Sequence, residues 1–272
     1  MSGVLCVLPA RLESRRLPRK PLREIRGRPL VRWSWEAARR VDAFDEVRVA
    51  TDSREVADAV EGFGGRAVLT DADHPTGTDR VAEAAGQPWA SGYEVVVNFQ
   101  ADEPFLDPDG VEGTVEAVRR GGAPVATLGE PLASREEWRS PDVVKVVRAS
   151  DGRALYFSRA PVPFVREDGR SGVPTPGPPR GEGHGAGGPL FLRHAGVYAF
   201  RRRALERWTE LPPSRLERAE RLEQLRALEA GMEIHVAVGG GGAPGVDTPE
   251  DLRRAERRLE RTDDRAGDAH GS

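Results

Sequence analysis

The sequence predicts a three-layer α/β/α sandwich around a mainly parallel sheet, with a smaller mixed β subregion. Three observations carry this. Apolar runs of strand length alternate with amphipathic stretches of helix length from Gly3 to Arg120. Glycine, proline and helix-capping residues punctuate the junctions. Strands that alternate with helices in this way pair in parallel through right-handed crossovers. The 272 residues, 38% hydrophobic and 31% charged, suit one domain of ordinary soluble composition.

The elements follow in order. GVLCVLP is a short apolar run that reads as a buried strand. PLVRWSWEAARRV places Leu30, Trp33, Ala37 and Val41 at helical spacing, with Pro29 at the first helical position. EVRVAT is a strand, and REVADAVEGFGG is an amphipathic helix stopped by glycines. AVLT and YEVVVNFQ are strands, with a helix over about Thr78 to Ala85 between them. DPDGVEGTVEAVRR is the next helix. DVVKVVRASDGRALYFSR reads as two strands joined by a turn at Ser150-Asp151-Gly152, and FLRHAGVYAF as a longer strand. Ser214 and Glu217 form a capping box for a helix lined by Leu216, Leu222, Leu225 and Leu228 and ended by Gly231. EIHVAV is a strand, and Thr248, Pro249 and Asp251 cap the last helix. One domain is expected over residues 1–262, with the mixed β subregion at about 143–200 and a disordered polar tail at 263–272. The Gly/Pro-crowded segment 167–189 cannot bury enough apolar surface to pack and is read as a mobile loop, an idle insertion before a substrate lid.

Composition excludes several function classes. A net charge of −3 argues against a general nucleic-acid binder. Cys6 is the only cysteine, so no intrachain disulfide forms and a reducing compartment is expected. The apolar run Val4 to Leu8 is too short to span a bilayer and lacks a preceding basic stretch, so the expectation is a cytoplasmic protein. Of 41 lysines and arginines, only Lys20 and Lys145 are lysine. A lysine kept in such a chain marks a place where a compact ammonium serves better than a planar fork, unless it is a chance survivor.

The opening loop LPARLESRRLPRKPL leaves the first strand and holds Arg11, Arg15, Arg16, Arg19 and Lys20 against a single acid, Glu13. Ligands in open parallel sheets sit at the carboxyl ends of strands, so this loop stands at the expected binding edge. A phosphate site and a solvated basic loop are the two readings, and position and clustering favour phosphate. The loop is neither G-x-x-x-x-G-K-[ST] nor G-x-G-x-x-G. Asp102 follows the strand ending NFQ, and Asp247 precedes the last helix after the glycines 239–242. Each is either a turn or N-cap carboxylate or a ligand for Mg²⁺ beside a phosphate. Neither has a lysine or arginine in its own motif, so an adjacent pair of them would call for a cation.

These segments together resemble the 3-deoxy-manno-octulosonate (Kdo) cytidylyltransferases. Pro9, Ala10, Arg11, Ser14, Arg16, Leu17, Pro18, Lys20, Pro21 and Leu22 match the family's opening P-A-R-x-x-S-x-R-L-P-x-K-P-L. VATDSREVADAV, DHPTGTDRVAEA, NFQADEP, FLRHAGVYAF, LERAERLEQLRALEAG and GVDTPEDL resemble its later motifs, in order along nearly the whole chain. The resemblance implies a Rossmann-like fold of the nucleotide-diphospho-sugar transferase type. It implies transfer of CMP from CTP to the anomeric hydroxyl of Kdo, releasing pyrophosphate, for lipopolysaccharide synthesis. By resemblance Arg11, Arg16 and Lys20 hold the triphosphate, and Ala10, Thr76, Gly77 and Arg80 form the nucleotide pocket. Asp102 and Asp247 are the Mg²⁺ ligands, acting in catalysis with Arg16 and Lys20. Arg80, Gln100, Arg159, His194, Tyr198, Glu220 and Gln224 contact the sugar acid. A homodimer is implied, with the RHAGVYAF region as an interface. Three departures stand out: Ala101 and Arg19 replace usual glycines, and the 167–189 segment replaces a more ordinary loop. Ala101 would be strained if its backbone needed positive φ, and Arg19 would add charge beside the phosphates. The alternatives are a cytidylyltransferase for another acidic sugar, such as 8-amino-Kdo or a sialic acid, and a non-catalytic nucleotide sensor.

Overall fold

A computed structural model describes residues 3–14, 16–164, 166, 189–240 and 242–268, without the side chains of 261–268. Arg15 and nearly all of the expected 167–189 loop lie outside the described residues. In chain order the elements are β1 (Gly3–Pro9), β2 (Glu24–Ile25), β3 (Arg28–Pro29), α1 (Leu30–Ala38), β4 (Glu46–Thr51), α2 (Arg54–Gly62) and β5 (Ala67–Leu69). There follow α3 (Gly77–Gly86), β6 (Tyr93–Phe99), α4 (Pro108–Arg119), β7 (Val125–Pro131), α5 (Arg135–Arg139), β8 (Lys145–Arg148), β9 (Ala154–Ser158) and β10 (Leu192–Arg201). The chain closes with α6 (Arg202–Glu210), α7 (Arg215–Glu220), α8 (Gln224–Glu229), β11 (Ile234–Val238) and α9 (Pro249–Asp268).

The sheet runs β11-β7-β10-β6-β1-β4-β5, with β8 and β9 continuing it from β10. Pairs β1–β4, β1–β6, β4–β5 and β7–β11 are parallel, while β10 is antiparallel to both β6 and β7. Side chains alternate across β1 and so fill two cores. Val4, Cys6 and Leu8 pack with Val31, Val56, Val60 and Val111 of α1, α2 and α4. Leu5 and Val7 face the other way, toward Val81, Leu205, Trp208 and Leu225 of α3, α6 and α8. This is the expected three-layer sandwich.

Several details differ from expectation. The mixed subregion is part of the main sheet, because β10 sits between β6 and β7. Most of β10 is buried by those neighbours, with His194 and Gly196 of the RHAGVYAF segment only partly covered. The helix expected from Ser214 to Gly231 is broken. Its capping box forms, but Arg221 adopts φ 54°, which turns the chain between α7 and α8. Pro29 is the N-cap of α1, one residue before the first turn. The last helix continues to Asp268, so residues 263–268, expected in the tail, are helical.

The glycines after β11 deliver the second carboxylate to the site. A Cβ on Gly239 would lie 2.8 Å from Gly110 Cα, in the first turn of α4. Gly240 N–H donates to Asp107 Oδ2 at 2.9 Å and Gly242 N–H to Glu130 Oε1 at 2.9 Å. The segment therefore lies flat on α4 and β7 and leads to Val246, whose N–H donates to Asp102 O at 2.8 Å. A Gly239→Val substitution is expected to lower stability by about 1–3 kcal/mol through overpacking against backbone. Chemical unfolding with circular dichroism checks this, and an unchanged midpoint would show that the close approach is dispensable.

Candidate active site

A cleft of about 580 Å³ opens at the carboxyl ends of β1 and β6, on the edge the topology assigns to ligands. Ala10, Arg11, Arg16, Lys20, Thr76, Gly77, Arg80, Gln100, Asp102 and Asp247 all line it, so ten expected site residues from distant segments meet there.

The opening loop is short of regular structure until a 3₁₀ turn at Lys20–Leu22. That turn aims Lys20 inward. Its ammonium pairs with Asp102 and donates to Asp247 Oδ1 at 2.6 Å. Arg16 reaches the other Asp247 oxygen at 2.8 Å. The two carboxylates thus share one cation, supplied by neither of their own motifs but by the opening loop. Burial alone would lower the Lys20 pKa, but the two carboxylates outweigh it and raise it. Burial alone would raise Asp247, but Lys20 and Arg16 hold it below the usual carboxylate range.

The two glycine replacements behave differently from each other. Ala101 is not among the residues with positive φ, and its carbonyl accepts a bond from Ser34 Oγ at 2.7 Å, so it carries no strain of that kind. Arg19 does adopt φ 57°, the conformation a glycine would take without penalty. Its guanidinium pairs with Glu55 rather than joining the cations of the cleft.

The other wall is the N-terminus of α3. Thr76 caps it: its Oγ1 accepts from Asp79 N–H at 3.2 Å, and Asp79 answers through the Thr76 N–H at 3.1 Å. The Thr76 hydroxyl is therefore committed to the cap, and the surface beside Gly77 is backbone. Arg80 is buried, donates to Thr70 Oγ1 at 2.5 Å and Asp71 O at 3.0 Å, and lies 3.5 Å from Asp52. Burial, partly countered by Asp52, lowers its pKa.

Of the expected sugar contacts, Arg80 and Gln100 line the cleft, whereas Arg159, His194, Tyr198, Glu220 and Gln224 lie outside its lining. Arg159 is held by Glu220, through its own N–H to Oε2 at 2.9 Å and its Nε to the Glu220 carbonyl at 2.8 Å. Gln224 is buried at the start of α8. His194 is half-buried and its ring sits between those of Phe157 and Tyr198. Thr127 Oγ1 gives its proton to Val197 O at 2.7 Å, so the 2.9 Å contact with His194 Nε2 requires a ring proton on Nε2. The Tyr198 hydroxyl is buried beside Thr127 without a well-formed hydrogen bond among the described residues. Burial, and then the charge of Glu223, push its pKa well up against the nearby Thr127 hydroxyl.

Glu223, which the sequence reading did not single out, lies behind the wall formed by α3. It accepts from Thr78 Oγ1 at 3.2 Å and from Trp208 Nε1 at 2.7 Å, and stands 3.4 Å from the Thr76 hydroxyl. On an unbroken helix Glu220 and Gln224 would share one face. The turn at Arg221 removes that relation, and the acid directly preceding α8 comes to α3 instead. The acid that follows Asp102 also has company. Glu103 accepts from Gly196 N–H at 3.3 Å, and burial followed by the Asp102 charge raises its pKa to about 8. Beside it Arg193 pairs with the fully buried Glu130.

Cations paired with two carboxylates beside a backbone-lined wall, at the ligand edge of a parallel sheet, suit a nucleotidyltransferase. The family model described as Cytidylyltransferase matches residues 5–234. The chain is 46% identical over 250 residues to a 3-deoxy-manno-octulosonate cytidylyltransferase of Syntrophobacter fumaroxidans, covering 92% of this chain and 94% of that one. It is 41% identical over 259 residues to an 8-amino-3,8-dideoxy-manno-octulosonate cytidylyltransferase of Shewanella amazonensis, covering 94% and 98%. A solved structure of CMP:2-keto-3-deoxy-manno-octonic acid synthetase complexed with CTP superposes with a TM-score of 0.81 at 38% identity, over 96% of this chain and all of that one. The chain belongs to the 3-deoxy-manno-octulosonate cytidylyltransferases.

Burial holds the His194 pKa down at about 3, below its ordinary value. As pH falls from about 6.5, the unfolded chain takes up a proton that the folded site refuses, and stability falls until about pH 3. This one group contributes a slope of at most about 1.4 kcal/mol per pH unit. Melting curves from pH 7 to 4 are expected to show a shallower acid loss for His194→Gln than for the parent. Parallel curves would show that His194 accepts its proton in the folded state.

Proposed function

We propose that the protein transfers CMP from CTP to the anomeric hydroxyl of 3-deoxy-manno-octulosonate, forming CMP-Kdo and pyrophosphate for lipopolysaccharide synthesis. The observation that carries this is the cleft in which Arg11, Arg16 and Lys20 face Asp102 and Asp247. The three cations receive the triphosphate, and the backbone beside Ala10 and Gly77 reads a pyrimidine. Arg159 pairs the sugar carboxylate through its remaining N–H groups. The Tyr198 hydroxyl, with His194 and Gln100, offers hydrogen bonds to sugar hydroxyls. Alignment of the sugar oxygen with the departing pyrophosphate, and stabilisation of phosphate charge, supply the rate.

The donor set fits Mg²⁺. Asp102 and Asp247 present hard oxygens close enough to share the Lys20 ammonium. Two carboxylates would leave the rest of the ion's shell to water and phosphate oxygens. When bound there, Mg²⁺ supplies neutralising charge at the α-phosphate and lowers the pKa of the attacking hydroxyl. Lys20 then exchanges its carboxylate partners for the phosphates. No helix among the described residues is long and apolar enough to cross a membrane, and a cytoplasmic location is part of the proposal. A homodimer is proposed as well, supported by the exposed Leu155, Phe164 and Leu190 of the mixed β subregion.

Pyrophosphate release from CTP, Mg²⁺ and the sugar acid is the direct test, with ATP and GTP as nucleotide controls and 8-amino-Kdo as the rival acceptor suggested by the Shewanella relative. Turnover is expected with CTP and Kdo. Equal turnover with ATP would sink the base assignment, and preference for the amino sugar would transfer the protein to that substrate. Asp102→Asn and Asp247→Asn should each lose most activity and raise the Mg²⁺ requirement, and the double variant should be little worse than either. Lys20→Ala should lose roughly 10²-fold in turnover. Full activity of the parent in EDTA would refute the metal site.

A further inference from the structure

The second lysine of the chain has no place in the reaction so far. Lys145 opens β8 and is fully buried. Its ammonium donates to three backbone carbonyls, Ser140 at 2.7 Å, Val143 at 2.6 Å and Arg159 at 2.6 Å. All three donors are used, and none goes to a carboxylate. A charge buried on carbonyl dipoles alone is a costly way to stabilise a strand. The geometry explains the residue type. Three acceptors converging on one nitrogen suit a tetrahedral ammonium and not a planar guanidinium.

The three carbonyls belong to two segments that meet at Arg159. One is the turn at 140–143 after α5, and the other is the end of β9. Arg159 is gripped by that turn and by α7: its Nη1 donates to Pro141 O at 2.9 Å and its Nε to Glu220 O at 2.8 Å. Ser158 Oγ donates to Glu220 Oε1 at 2.7 Å, which ties the strand end to α7. Those bonds engage Nε and Nη1, and among the described residues no hydrogen bond is made by Nη2.

We propose that Lys145 is a positioning residue for the sugar acid, fixing the turn and strand end that aim the Arg159 guanidinium at the sugar carboxylate. This rests on the reading of Arg159 as the carboxylate contact. Burial, and then repulsion from Arg159, lower the Lys145 pKa to about 8, so the ammonium form still prevails at neutral pH.

The test is a kinetic split between substrates. Lys145→Met and the milder Lys145→Gln should raise the KM for the sugar acid tenfold or more, while the KM for CTP stays within twofold. Arg159→Met should raise the same KM. The Lys145→Met/Arg159→Met double variant should be no worse than Arg159→Met, because Lys145 acts through Arg159. Equal losses for both substrates, or an unchanged sugar KM in a folded variant, overturns the proposal. If Arg159→Met leaves the sugar KM unchanged, the reading of Arg159 falls. Lys145 variants that still raise it would then show an action that bypasses Arg159, which also overturns the proposal. A measurement on the parent protein covers variants that do not fold. With only two lysines, protein labelled at the lysine ε-carbons gives two assignable signals. Adding the sugar acid to CTP-saturated protein without divalent cations should shift the Lys145 signal, and a signal that stays in place counts against the coupling.

Discussion

The Lys20 ammonium between Asp102 and Asp247 is the contact on which the site depends. It joins residues separated by 82 and 227 positions, so three remote parts of the chain close on one point. The backbone bond from Val246 N–H to Asp102 O, at 2.8 Å, holds the two carboxylate segments together even before the lysine is counted. Without a cation, two carboxylates so placed would repel, and one would take up a proton. Lys20 supplies that cation from the same loop that brings Arg11 and Arg16 to the cleft. One ammonium thus compensates both carboxylates inside the cleft. The position is partly exposed, Asp247 most of all at 40%, so the pairing is better understood as preorganisation than as a store of stability.

Both lysines of this arginine-rich chain serve the same geometric need. Lys20 serves two carboxylates and Lys145 three carbonyls, and in each case the acceptors converge on one point. Arginines carry the flat tasks instead. Arg202 spreads its fork over the carbonyls of Tyr93, Ala85 and Ala90, tying α6 to the ends of α3 and β6. Arg226 grips the Glu217 carboxylate through Nε and Nη2 and so holds α8 against α7 across the turn at Arg221. The rarity of lysine made the two survivors legible as special before any coordinate was known, although their acceptors were not.

Other parts of the site were legible for equally physical reasons. The opening loop declared itself by charge density, and the topology of a parallel sheet told which edge it would reach. Asp102 and Asp247 were visible as carboxylates at element boundaries, but their shared lysine lies in a third segment and no local pattern reports it. β7 escaped notice because Pro124, Gly129 and Pro131 make its sequence look like a loop, whereas pairing with both β10 and β11 makes it a strand. Helix α6 was hidden by its charge, with Leu205 and Trp208 as its main apolar anchors. The break at Arg221 puts a non-glycine residue in a left-handed conformation, which sequence pattern does not forecast, and that break decides which acid reaches α3.

Glu223 shows why that matters. Its carboxylate links Thr76 and Thr78 at the nucleotide wall to Trp208, and Asn98 extends the chain of contacts from Thr78 at 3.3 Å to Gln100 at 2.9 Å. Trp208 in turn stacks edge-on with Tyr198, whose ring neighbours His194. A chain of contacts therefore runs from the cap of α3 to the group read as the sugar end, hydrogen-bonded as far as Trp208 and aromatic beyond it. Its members are largely buried, and burial raises the Glu223 pKa against the hydrogen bond from Trp208. A network of this kind is rigid when satisfied and strained when one member loses its partner. The Tyr198 hydroxyl is the member without a well-formed bond among the described residues. On the proposed reading of Tyr198 as a sugar contact, the acceptor would meet one end of these contacts and the nucleotide the other. The hydrogen bonds run from Gln100 to Trp208 and only ring packing continues to Tyr198 and His194, so any coupling between the two ends has to pass through aromatic packing as well as through polar bonds.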